Sequence, residues 1–501
     1  MNTTSAYSYT FAATDLVAPP AVSAPLPRAL PTSTTAAALP RVAFTGYDLL
    51  VLAALVTKTW NLIRVPYLPI AISSTLAIAL VVLAPKQFVN GLAQTARIPF
   101  LVALLVIYLF QAAGDSFLNL PFYYAAAATA RQFLGMSTII SFLGYLISHP
   151  VRPRRFLTTL LAILAISQIW YFCELRMPDR FIPIRAALYA DTYLEESYEK
   201  SLSALSIARG FRTGLTPRQH GLGYVSCGAL AYASLALMLA SQGRVRLANV
   251  LLLLLAALSL ATLYYSLQRS AVLGAVTGLG LLFLGPFKTT LSTRLPFVLL
   301  LIVVAVAAIV PAAISDSSPA QADIVSKTMV AEDYGFRIGM QIQALKLTVL
   351  CPLGLRFSGK NWEDDGFAVV AERYDLGGMK PLAVHNGYLS VLMNYGWIGA
   401  ALVFTFLGSA ARTITRVVRR PFDTPGFPTK TAAVVAASCF GLIYIQSMFH
   451  NASVMNREPV CLAFVTLLGY LAIYRPRITN RKHQRLSLAS HRLDALASPA
   501  R

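Results

Sequence analysis

The chain has 501 residues, 56% hydrophobic and 13% charged, with a net charge of +21. Soluble globular domains carry about 25% charged residues, so this composition, with a mean hydropathy of +0.61, excludes an ordinary soluble domain and points to a polytopic membrane protein. The basic excess does not read as a nucleic-acid surface, because Lys and Arg fall in short stretches between apolar runs and in the tail, with no basic stripe interleaved with aromatics.

Residues 1–43, including TSTTAAALP and APPAVSAPLPRALP, are dominated by Ala, Pro, Ser and Thr and are expected to be a disordered cytoplasmic tail. No basic stretch followed by an apolar core marks a cleaved leader, so the first span is expected to direct insertion. A helix needs about 20 apolar residues to cross the hydrocarbon core. By that measure about twelve spans are expected, near 44–60, 66–84, 98–114, 132–148, 157–173, 221–240, 247–265, 271–286, 296–314, 387–408, 431–449 and 459–474. Helices 1–5 then occupy 44–173, helices 6–9 occupy 221–314, and helices 10–12 occupy 387–474, with a basic cytoplasmic tail over 475–501.

Charge orients these spans. The loops after every second span carry Lys86 and Arg97, then Arg152, Arg154 and Arg155, then Arg244 and Arg246, then Lys288 and Arg294, then Arg412, Arg416, Arg419, Arg420 and Lys430. Short loops rich in Lys and Arg stay cytoplasmic, which places both termini on that side. The opposite face carries two long loops, 174–220 and 315–386, holding fifteen of the chain's 21 acidic residues. Loops of this length are uncommon unless functional. The expected fold class is therefore all-α and polytopic, with a helical periplasmic cap formed by the two long outer loops.

Inside the larger loop, Phe336, Met340, Ala344 and Leu347 share one helical face, CPLGLRFSG interrupts the pattern with Pro352 and Gly354, and GKNWEDDG reads as a turn. The carboxylates Glu363, Asp364 and Asp365 of that turn are of a type that can hold a divalent cation, but a solvated acidic turn is the commoner outcome, and no metal is expected. Cys173, Cys227, Cys351, Cys439 and Cys461 have no CxxC spacing and read as separate buried thiols.

The run HNGYLSVLMNYGWIG opens an apolar helix with two polar side chains, His385 and Asn386. An imidazole at the outer surface can take a proton near neutral pH, and Asn386 can cap the helix start. His385, Leu389, Leu392, Gly396 and Gly399 are expected on one face of a continuous span, the two glycines allowing another helix to approach closely. By residue type alone, a histidine that only packs or caps is the favoured reading. His220 and His450, near other outer span ends, and Arg212 and Arg218 read as interfacial residues.

The same run resembles the signature of the O-antigen ligase and polymerase family, in which an HN-x-Y/F-L-x-x-L-x-x-x-G-x-x-G pattern follows a large periplasmic loop; His385, Asn386, Tyr388, Leu389, Leu392, Gly396 and Gly399 match it. Upstream, FRIGMQIQALKLTVLCPLGLRF resembles that family's Arg, amphipathic helix and P-L-G-x-G, supplying Arg337, Pro352, Leu353 and Gly354, with Arg356 where a second Gly is common. LQRSAVLGAVTGLG is similar to its S-R-G/S-A-x-L run, with Arg269 as the cation and Gln268 in place of Ser; RGFRTGLTPRQHGLG keeps Arg209, Pro217 and Gly221 of an earlier element, with Arg218 where Asn is usual.

The resemblance implies transfer of a glycan from an undecaprenyl-pyrophosphate donor to an acceptor hydroxyl on the periplasmic face of a bacterial inner membrane, as part of surface polysaccharide or lipopolysaccharide synthesis. The acceptor is lipid A core for a ligase, or another lipid-linked repeat unit for a polymerase. It assigns His385 as catalytic base, Arg269 and Arg337 with Arg209 to the donor pyrophosphate, and Asn386 and Tyr388 to supporting places. It implies an inverting reaction with no cofactor, the arginines taking the part of a metal. The competing reading is a transporter or flippase of lipid-linked oligosaccharide. Transporters place ionisable residues near the bilayer midplane, and the spans here are nearly empty of them.

Overall fold

A computed structural model describes residues 43–60, 72–117, 122–177, 179–181, 183–184, 250–252, 254–259, 334–374, 384, 386–419, 432, 436, 440, 444, 447 and 459–473. Among these, regular structure is entirely helical. Helices α1 (Gly46–Trp60), α2 (Ile72–Leu83), α3 (Pro85–Thr95), α4 (Pro99–Phe117), α5 (Phe122–Ser148) and α6 (Arg152–Arg176) precede the large loop. Within and after it come α7 (Tyr334–Leu350), α8 (Ala368–Arg373), α9 (Gly387–Arg419) and α10 (Pro459–Ile473).

The bundle core is built by large side chains from several helices, among them Leu55, Leu104, Phe142, Phe156, Phe406 and Phe464. Hydroxyls within the apolar helices bond back to their own backbone: Thr59 Oγ1 donates to the Leu55 carbonyl at 2.7 Å, Thr138 to Leu134 at 2.7 Å and Thr466 to Leu462 at 2.7 Å. This local pairing lets a polar residue sit where water is absent. The outward faces are apolar too. Val102, Val106 and Leu109 on α4, and Ile166 and Ile169 on α6, are exposed, as expected of helices whose surroundings are hydrocarbon.

By length and apolarity, Gly387–Val417 is the one described helix able to cross a membrane alone, and α2 with α3 passes the same measure as a bent pair. Apolar helices stand at seven of the expected spans. Three others, 221–240, 271–286 and 296–314, lie outside the described residues, and 247–265 and 431–449 are described only in part. The structure thus carries an all-helical architecture but not a count of twelve.

Two expectations are corrected. The stretch after the second span, read as a short loop, contains α3, which turns 96° away from α2. Pro85 starts it, because a helix's first turn needs no N–H there. The close crossing of α3 on α5 accounts for its place: an added Cβ at Gly91 would lie 2.1 Å from the Ile140 carbonyl oxygen, and one at Gly144 would lie 2.1 Å from that of Gln87. Secondly, GKNWEDDG is no plain turn. Glu363–Phe367 forms a π-helical turn leading into α8. Asn361 Oδ1 accepts the Asp364 N–H at 2.8 Å, while the Asn361 N–H donates to Asp365 Oδ2 at 3.1 Å. That reciprocal cap places the acids where a helix start favours negative charge.

The face expected of α7 is the face it buries: Phe336, Met340, Ala344 and Leu347 are all core residues. Phe367, Val370 and Ala371 return to pack on Phe336 and Met340, so the later part of the large loop is a helical hairpin. Its tip, Cys351–Phe357, carries the P-L-G residues into the bundle.

Candidate active site

The head of α9 is pinned on three sides. Asn386 Oδ1 accepts the Leu389 N–H at 3.0 Å, a helix cap satisfying one otherwise unpaired donor. The Gly387 N–H donates to the Ser447 carbonyl at 2.7 Å. Tyr388 Oη donates to the Tyr444 carbonyl at 2.9 Å. On the other flank Val384 is buried with Ala344, Leu347, Cys351, Leu355 and Met393, which ties the chain just before the helix to α7.

α9 is not the continuous span that its spacing predicts. The rings of Tyr388 and Phe404 stack with centroids 6.3 Å apart and planes 11° from parallel. Sixteen residues of straight helix would separate those positions by about 24 Å. The helix folds sharply at Gly396, where φ is 65° and ψ −166°. The limb after the break keeps about 34 Å of helical rise, enough to cross a bilayer; the limb before it is a short half-helix. Leu389, Leu392, Gly396 and Gly399 therefore do not form one straight face.

The hairpin tip fills the break. The Trp397 N–H donates to the Pro352 carbonyl at 3.1 Å, replacing the bond that the broken helix cannot make. An added Cβ at Gly396 would stand 2.2 Å from the Pro352 oxygen, and one at Gly354, whose φ is 94°, would stand 2.5 Å from the Asn394 oxygen. Two motifs some forty residues apart are thus one backbone-to-backbone joint, and only glycine meets both the positive φ and the lack of room.

Beyond the joint, the short 3-10 turn Leu355–Phe357 places Arg356 with its guanidinium 5.1 Å above the Tyr395 ring. Phe357 rests on Phe110 of α4 at 5.1 Å between centroids. Reading the sequence assigned neither Arg356 nor Tyr395 a role. The available signal was the large cation at a position where the resembling pattern favours a second glycine.

Arg337 is half-buried in the first turns of α7, beside Phe336. It lies seven residues before Ala344, about 10 Å of helix rise from the cluster holding Val384, and roughly 20 Å along α7 from the tip that carries Arg356. The structure therefore gathers Asn386, Tyr388 and the P-L-G joint around one half-helix, with Arg337 further out on the packed helix α7. His385, Arg269 and Arg209 lie outside the described residues. Among the described residues no group of three or more His, Cys, Asp or Glu side chains is placed to hold a metal.

No curated protein matches the chain. A family model described as O-antigen ligase matches residues 252–404. That segment takes in α7, the hairpin tip, the Gly396 joint and the capped head of α9, the same features that carry the motif resemblance, so this part of the chain is similar to the O-antigen ligase family.

Proposed function

We propose that the protein is an inner-membrane glycosyltransferase that moves a glycan from an undecaprenyl-pyrophosphate carrier to an acceptor hydroxyl on the periplasmic face, with both termini cytoplasmic and about twelve spans. The observation that carries this reading is the joint between Pro352–Gly354 and Gly396, which fixes the half-helix that begins directly after His385. A base must hold its position against the acceptor to act, and a half-helix capped by Asn386 and tied through Gly387 and Tyr388 offers a rigid mount.

In this reading an imidazole nitrogen of His385 takes the acceptor's hydroxyl proton as that oxygen attacks the sugar C1. The C1–oxygen bond to the carrier breaks, and the pyrophosphate leaves with the electron pair. A single displacement inverts the anomeric centre. Guanidinium groups of Arg269 and Arg337, with Arg209, offset the charge that develops on the leaving group. No metal is assigned to the step.

The test uses purified full-length protein, a lipid-linked oligosaccharide and candidate acceptors. His385→Ala is expected to lower turnover by about 10²–10⁴-fold, the usual worth of a positioned general base. Arg337→Lys is expected to raise the donor KM more than it lowers kcat, because charge is kept and forked hydrogen bonding is lost. Full turnover in His385→Ala would remove the base assignment while leaving transfer itself standing.

A further inference from the structure

At the end of the bundle remote from the hairpin tip, α1 and α6 begin and α5 ends around one carboxylate. Asp48 is buried, with 1% of its side chain exposed. Its Oδ1 accepts Tyr145 Oη–H at 2.9 Å and Arg152 Nε–H at 3.3 Å. Its Oδ2 accepts the Thr45 N–H at 2.9 Å and the Thr45 hydroxyl, and Arg155 Nη1 stands 3.4 Å away. Four hydrogen bonds and the Arg155 ion pair surround this one acid.

Against it stand Arg152, Arg154 and Arg155, all in the first turn of α6, a turn with no acidic residue. Among the described residues, Asp48 is the only carboxylate in the helix ends that meet here; the one acid of α6, Glu174, lies at its opposite end and accepts the Trp170 N–H. A helix N-terminus already carries about half a positive charge, so cations there are disfavoured and anions favoured. Two helix starts and the end of α5 meet at this point, so the helix ends leave about half a positive charge net, with three arginines and one acid between them. The place is over-supplied with positive charge, and an anion would relieve it.

The guanidinium groups are also held in position. Arg152 Cζ lies 5.1 Å from the Tyr47 and the Tyr145 ring centroids, and Arg155 Cζ lies 5.4 Å from that of Phe44. Arg152 and Arg155 keep 15% and 22% of their side-chain surface, so both can be reached from outside. Phe44, beside Arg155, is 57% exposed. An exposed aromatic ring next to arginines at the end of an apolar bundle is the pattern of the headgroup layer.

We infer that Arg152 and Arg155, organised around Asp48, together with Arg154 exposed on the same turn, form a binding site for an anionic phosphate, supplied by the headgroup of a negatively charged lipid. The site is separate from the head of α9 and does not depend on glycan transfer.

The experiment takes full-length protein in neutral detergent and follows its thermal midpoint while short-chain phosphatidylglycerol, phosphatidylcholine or inorganic phosphate is titrated. Phosphatidylglycerol is expected to raise the midpoint saturably, with half-saturation moved to about fivefold higher concentration in Arg154→Gln and again in Arg155→Gln, one arginine near a charged surface each. Inorganic phosphate giving the same saturable rise, with the same sensitivity to both variants, would keep the phosphate site and assign it to a free anion. Equal response to phosphatidylcholine, or unchanged half-saturation in the variants, would overturn the proposal. Should Arg155→Gln fail to fold for want of a partner to Asp48, Arg154→Gln decides the matter, since Arg154 is exposed and lies outside the Asp48 contacts.

Discussion

Gly354 and Gly396 show how much can rest on a missing side chain. Each has a positive φ, and each would push a Cβ into the other's backbone. Gly396→Ala or Gly354→Ala is expected to cost at least about 1–3 kcal/mol in backbone strain alone, with the overlap added, and to lower both thermal midpoint and transfer. Two controls separate strain from contact. Gly359 has φ 68° with nothing near its Cβ position, so Gly359→Ala should show strain only. Gly408, helical and open, should accept Ala with a gain of up to about 1 kcal/mol. Asn386→Ala should cost about 1 kcal/mol as a lost cap, and Asn386→Ser should recover most of it. The sequence disclosed Asn386 as a cap because capping is local chemistry. It disclosed Gly396 only as a small residue, since the turn that needs it arrives from Pro352–Gly354, far upstream.

At the scale of elements, α7 was readable and α9 was half readable. The face Phe336, Met340, Ala344, Leu347 is the simplest signal a sequence gives, apolar residues at helical spacing, and burial follows it. In α9 the same spacing runs straight through Gly396, so periodicity joins two limbs that tertiary contact holds apart. The π-helical turn at Glu363–Phe367 was hidden for a related reason: polar residues that read as a turn are the residues that cap a helix. The break in α9 is directly testable. With native cysteines replaced, Tyr388→Cys combined with Phe404→Cys is expected to be bridged by a short bifunctional thiol reagent. Failure to bridge, with both thiols reactive singly, would mean a straight helix. Tyr388→Phe should loosen the half-helix by about 1 kcal/mol, the worth of one ordinary hydrogen bond, with thermal unfolding as the readout.

The whole molecule divides by polarity. Core and exterior of the described bundle are both largely apolar, hydroxyls such as those of Thr59, Thr138 and Thr466 bond inside their own helices, and charge collects toward its ends and in the large loop. Composition and the distribution of Lys, Arg and acids were enough to read that division. They were not enough to see α3, because Pro85 reads as an ending when it is a beginning, nor to see Arg152 and Arg155 drawn onto Asp48, because an ion pair between residues about a hundred positions apart leaves no local trace. The central claim is that bond exchange, and not transport, happens beside the half-helix of α9. It is tested most directly by incubating the purified protein with a lipid-linked oligosaccharide of known anomeric configuration and an acceptor, then following products by NMR and carrier release together. One undecaprenyl pyrophosphate freed for each new glycosidic bond, with the anomeric configuration inverted, is the predicted result. Donor recovered chemically intact on the opposite side of the bilayer, with no glycosidic bond formed, would contradict it.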